Sequence, residues 1–195
     1  MEETNLKPAE SLSIIHNMIN TAKHRLADDG FLLILWGWLI FTAAISHYIS
    51  LVTAIPNGHW AWNILIPLGA LISLLYGLRR KKKDKVSTYT EVYLSYSWGA
   101  FLIAMMLTLV FMSVHGLRST YFFLMLLYGI ATFVSGGLLH FRPLLVGSLF
   151  SFLFAIVSVF LEDRELFLCL AASLLFSYII PGHLLQLRFR SQNNV

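Results

Sequence analysis

The chain has 195 residues, of which 57% are hydrophobic, 14% aromatic and only 12% charged. Soluble domains carry about 25% charged residues, and at a mean hydropathy of +0.72 this chain has too little polar surface to cover itself in water. Composition therefore excludes an ordinary soluble domain, and the length allows one compact membrane domain with no separate soluble one; the formal net charge of +4 matters less than where the charges fall.

Residues 1–29 are mostly polar and lack the short apolar core and small-residue cleavage site of a signal peptide. The first apolar run is therefore expected to stay in the mature chain as a span. Within "SLSIIHNMINTAKHRL", Leu12, Ile15, Ile19, Ala22 and Leu26 recur at spacings of three and four, one apolar stripe of an amphipathic helix. Asp28, Asp29 and Gly30 offer a break after it. The expectation is a cytoplasmic helix lying in the inner headgroup layer. The sharper alternative is that the stripe docks a cytosolic protein or a second protomer.

A spanning helix needs about 20 apolar residues. Six runs meet that need, at 30–53, 60–78, 92–114, 119–139, 143–160 and 166–187. Short connectors make consecutive spans antiparallel neighbours, so the expected fold is all-α: a polytopic bundle of three hairpins over 30–190, with a tail at 191–195. The segment "GLRRKKKDKV" between the second and third runs brings Arg79, Arg80, Lys81, Lys82, Lys83 and Lys85 together. Lys and Arg of short loops stay cytoplasmic. With both termini inside, the inner segments hold twelve of the fourteen basic residues, and only Arg118 and Arg164 face out. The cluster reads as an orientation anchor that also meets anionic headgroups. It has no reading module beside it, so no nucleic-acid partner is expected.

Tight packing in lipid needs small residues that let backbones approach. Thr42, Ser46 and Ser50 form such a stripe in the first run, and Gly69, Ser73 and Gly77 in the second. Gly147, Ser151 and Ala155 form one in the fifth, and Cys169, Ser173 and Ser177 in the sixth. Pro181-Gly182 should loosen the last turns of the sixth run, because proline removes a helical hydrogen bond. The single cysteine, Cys169, reads as a packing residue and excludes an intrachain disulfide.

No acidic residue lies deep in a run, which counts against proton-coupled transport. The zinc-protease, nucleophile-elbow and phosphate-loop motifs of enzymes are absent, so catalysis is not expected. His47, His59 and His115 fall near the outer face and are the only candidates for a metal or haem, since imidazole suits zinc, copper or iron. No cofactor is expected, because a lone polar residue in a span more often hydrogen-bonds to a neighbouring helix.

The segments "HFRPLLVGSLFSF" (140–152) and "YIIPGHLL" (178–185) resemble parts of small uncharacterised six-span bacterial inner-membrane proteins. The resemblance implies a bacterial inner membrane and brings no activity with it. The expected function is a non-catalytic membrane protein, a scaffold, sensor or accessory subunit with a cytoplasmic partner-binding face. The alternative is a passive channel or facilitative carrier for a small solute or ion, with a metal- or haem-binding membrane protein third.

Overall fold

A computed structural model describes the backbone of residues 8–83 and 89–193, and the side chains of 30–79 and 92–188. All regular structure among the described residues is helical: α1 (Pro8–Thr53), α2 (Trp60–Lys83), α3 (Tyr89–Leu138), α4 (Arg142–Ser158), α5 (Glu165–Leu174) and α6 (Ile180–Asn193), with a π-helical turn, Leu175–Ile179, joining α5 to α6. Four helical segments, Gly30–Thr53, Trp60–Arg79, Val92–Leu138 and Glu165–Arg188, are long and apolar enough to cross a membrane. α4 is apolar but shorter, at 17 residues. Large apolar side chains face outward throughout, with Val110 at 71%, Val114 at 76% and Phe160 at 83% exposed. Such a surface belongs in lipid.

Two expected boundaries differ. The expected break at Asp28–Gly30 is absent, and α1 runs as one 46-residue helix. A helix rises about 1.5 Å per residue. Residues 8–29 therefore carry α1 about 33 Å beyond its apolar part. The third and fourth apolar runs form one helical element of 50 residues interrupted only at Gly116, where φ is 79° and ψ is −180°. That backbone conformation is essentially open to glycine alone. The chain doubles back there. The rings of Phe101 and Tyr128 lie 5.4 Å apart and those of Phe111 and Phe123 5.7 Å, whereas a straight helix would separate the first pair by about 40 Å.

The α5–α6 rod is the centre of the bundle, with α1 on one side and α4 on the other, and α3 packs on α4 and α5. Leu166, Leu170, Leu174, Tyr178 and Leu185 of that rod are buried, together with Met125, Tyr128 and Leu144 from its neighbours. The π turn has a local cause. Pro181 has no N–H to give to the carbonyl four residues back. The Ile180 N–H just before it reaches the Leu175 carbonyl five residues back, and the helix widens by one residue. The α3–α4 corner closes as a Schellman turn, with Phe141 N–H donating to Gly136 O at 2.9 Å and His140 N–H to Gly137 O at 3.2 Å.

α2 touches α1 and no other described element. Its Gly69 lies under Leu39 and the Trp36 ring, and the Trp36 indole N–H donates to Ser73 Oγ at 3.0 Å. Interhelical side-chain bonds in membranes average about 0.6 kcal/mol. Trp36→Phe, which keeps the ring and removes the donor, should cost about 0.5–1.5 kcal/mol of stability, measured by denaturant unfolding in detergent.

Candidate functional site

The small-residue seams hold the bundle. Gly147 of α4 faces the Phe176 carbonyl, and a Cβ placed on it would lie 3.0 Å from Pro181 and 3.1 Å from the Ser177 Cα. One turn on, Ser151 Oγ donates to Met125 O at 2.8 Å and lies 2.8 Å from Ser173 Oγ. Ala155 is buried one turn further. Two separate sequence stripes thus meet through one hydroxyl pair. The Cys169 thiol is buried between Phe154 O at 3.4 Å and Met125 Sδ at 3.9 Å. In α2, Gly69 and Ser73 face α1, while Gly77 has open space around it.

The stripe expected for the first run is misplaced. Thr42 and Ser46 are exposed. The face of α1 that meets the α5–α6 rod is instead Gly30, Leu33, Gly37, Ile40 and Ala44. Gly37 abuts Tyr178 and Ile179, and Gly30 lies against the Gly182 carbonyl. Glycine removes the side chain altogether, so a glycine face permits closer backbone approach than a serine or threonine face. Spacing alone left the two faces undistinguished.

Core hydroxyls have partners at hand. Thr132, Ser135, Ser158 and Ser177 donate to carbonyls three or four residues back in their own helices. Trp98, Tyr128 and Tyr178 pack edge to face around the π turn. The Tyr178 hydroxyl is buried without a partner among the described residues. The space between the helices is filled by Leu, Phe, Met and Tyr side chains.

A polar surface feature lies at the C-terminal end of α1 and the connector to α2. A cavity of about 320 Å³ is lined by His47, Ser50, Leu51, Ala54, Ile55, Pro56 and the Asn57–His59 turn. Ala54 and Asn57 take positive φ, 53° and 88°, which folds the connector back over α1. Ser50 Oγ donates to the Ile55 carbonyl, and Gly58 lies where a Cβ would collide with Ser50. His47 stacks on Phe167 at 4.1 Å and its Nδ1 accepts the Trp62 indole N–H at 3.1 Å.

Of the three metal candidates, His47 and His59 share this cavity, while His115 is not among its lining residues and stacks on Phe111 at 3.9 Å. Among the described residues no three His, Cys, Asp or Glu side chains converge to hold an ion. His47 is ill suited as a ligand. An indole N–H only donates, so the Nδ1 lone pair is taken and the neutral ring carries its proton on Nε2. A metal-ligating histidine shows the reverse arrangement, its free N–H donating to an acceptor.

Of the basic cluster, Arg79 is exposed; the side chains of Arg80, Lys81, Lys82 and Lys83, and residue Lys85, lie outside the described set, as do the side chains of Leu12, Ile15, Ile19, Ala22 and Leu26. Sequence reasoning missed Trp36 and Trp62, whose indole donors tie α2 to α1. Of their partners, Ser73 reads as a member of a packing stripe and His47 as a metal candidate, neither as an acceptor for an indole. No family model, curated protein or solved structure matches the chain.

Proposed function

We infer that the protein is a non-catalytic scaffold, sensor or accessory subunit of a bacterial inner membrane that binds a protein partner at its cytoplasmic end. In this reading it crosses six times with both termini inside. The fold-back at Gly116 supports counting α3 as two spans, since about 75 Å of helix far exceeds the roughly 30 Å of the hydrocarbon core.

The observation that carries the reading is the unbroken α1. Eleven residues separate Ile19 from Gly30 and eighteen separate Leu12 from it, about three and five full helical turns. The stripe of Leu12, Ile15, Ile19, Ala22 and Leu26 therefore falls on the same face as Gly30, Leu33, Gly37, Ile40 and Ala44. Inside the bundle that face is the one covered by another helix. A helix continuing straight out of the membrane does not lie flat in the headgroups, so its apolar stripe needs a protein to cover it. A solute path gains less support: the described core is filled by apolar side chains, and its Ser and Thr hydroxyls are engaged with backbone carbonyls.

A photoreactive amino acid at Ile19, compared with one at Asn17 off the stripe, tests this in intact membranes. The expected result is a discrete protein adduct from position 19, either to a second copy or to another chain, and at least fivefold less (~1 kcal/mol or more of preference) from position 17. Adducts to lipid alone, or equal yields from both positions, would overturn it.

A further inference from the structure

The two indole bonds that hold α2 differ in kind. Trp36 donates to a hydroxyl, Ser73 Oγ, at 3.0 Å, and a hydroxyl accepts at any ordinary pH. Trp62 donates to an imidazole nitrogen, His47 Nδ1, at 3.1 Å. That acceptor exists only while the ring is neutral. The imidazolium carries hydrogen on both nitrogens, and an N–H would then face an N–H across the same distance. Histidine is the side chain whose charge ordinarily changes between about pH 5 and 8.

Three features make His47 suited to titrate from the outer side. It lines the outer cavity, so water and protons reach it. Its ring lies flat on Phe167, 4.1 Å between centroids, and an aromatic face accepts a cation; the charged ring keeps that support while losing Trp62. Among the described elements α2 touches α1 alone, so the two indole bonds act directly on how these two helices are held together.

Few ionisable groups stand around His47. His59 comes from the cavity's own turn and, when charged, opposes a second positive charge. The first turns of α2, Trp60 to Ile66, contain no ionisable side chain. On the α5 side stand Glu165 at the helix start and, before it, Glu162, Asp163 and Arg164, with Arg164 paired to Glu162 at 3.5 Å. From α3, Tyr121 packs edge-on against the Phe167 ring at 5.2 Å.

We propose that the Trp62–His47 hydrogen bond is an acid-released clamp: protonation of His47 from the outer face frees the outer end of α2 from α1, while Trp36 and Ser73 hold its middle. The inner end of α2 leads into the basic cluster Arg79–Lys83, so a pivot about Ser73 displaces that cluster in the opposite sense. The clamp stands independently of what covers residues 12–26.

Indole nitrogen–proton NMR of the ¹⁵N-tryptophan-labelled full chain in nanodiscs tests it. Five tryptophans give five signals, and Trp62→Phe and Trp36→Phe identify two of them. Between about pH 8 and pH 5, the Trp62 signal is expected to shift along a single titration curve and its hydrogen exchange to gain at least tenfold relative to that of Trp36 at the same pH. The Trp36 signal should move far less. His47→Gln, which keeps an acceptor that cannot titrate, should hold Trp62 in its bonded state throughout, and His59→Gln should leave the transition in place. Spin labels at Asn63 and Phe160, both exposed, should report a changed and broader distance at low pH in the parent and not in His47→Gln. A Trp62 signal that tracks Trp36, or a transition that survives His47→Gln or disappears with His59→Gln, would sink the proposal.

Discussion

Gly147→Leu is expected to leave almost no monodisperse protein, while Gly77→Leu behaves like the parent chain. Both positions are small residues in apolar runs, yet their surroundings are opposite. At Gly147 the α4 backbone meets the π turn, with the Phe176 carbonyl, the Ser177 Cα and the Pro181 ring around it. Those are backbone and ring atoms that have no rotamer to yield. A single added methylene in a close-packed site costs about 1–3 kcal/mol; four heavy atoms would push α4 off the α5–α6 rod and separate Ser151 from Ser173. Gly77 has no heavy atom within 4 Å of an added Cβ, and a leucine there adds one more lipid-facing side chain. Gly147→Ala should fall between, losing about 1–3 kcal/mol. Size-exclusion profiles and unfolding midpoints in one detergent measure all three. Equal behaviour of the two leucine variants would mean that the α4–rod seam does not hold the fold.

What the sequence made legible follows from how many side chains a feature involves. A run of twenty apolar residues is a collective signal, and helix covers most of each such run, although the third and fourth share one element and α1 begins well before its run. The charge asymmetry is collective in the same way. Single contacts are not. His47 was readable as a lone polar residue in a run, but no spacing rule links it to Trp62 on another helix. Gly116 was legible as the gap between two runs, but not as a glycine-only backbone angle that lets one helical element fold on itself. The seam of α1 was misread because Thr42, Ser46 and Ser50 satisfy the same periodicity as Gly30, Gly37 and Ala44. Only the neighbour decides which face is buried, and the α5–α6 rod takes the glycines. The π turn was visible only as Pro181-Gly182. That proline predicts a disturbed helix, whereas the particular remedy, a wider turn over Leu175–Ile179 closed by the Ile180 N–H on the Leu175 carbonyl, is one of several ways a helix can accommodate a proline.

Labelling from one side should be all or none. A membrane-impermeant maleimide is expected to modify Lys81→Cys only after the membrane is opened, and Arg164→Cys in intact cells. Cys169 needs no removal for this measurement, since its thiol is buried and its two nearest partners are interior atoms. The sign comes from the distribution of charge. Six of seven positions from Arg79 to Lys85 are basic, and carrying one such residue through the centre of a helix costs about 2.5–3.5 kcal/mol on insertion scales. Short loops with such an excess of Lys and Arg are retained on the cytoplasmic side, so this loop is expected to stay on the side where the chain is made. Arg164 sits in the opposite situation: it is exposed, paired with Glu162 and flanked by Asp163 and Glu165, and acidic residues contribute little to orientation. Replacing Arg79, Arg80, Lys81, Lys82, Lys83 and Lys85 by glutamine should remove the bias at this loop and yield a mixed population at both reporter positions. External labelling of Lys81→Cys in intact cells would invert the orientation. It would also place the α1 extension, and with it any partner on Leu12, Ile15 and Ile19, on the outside.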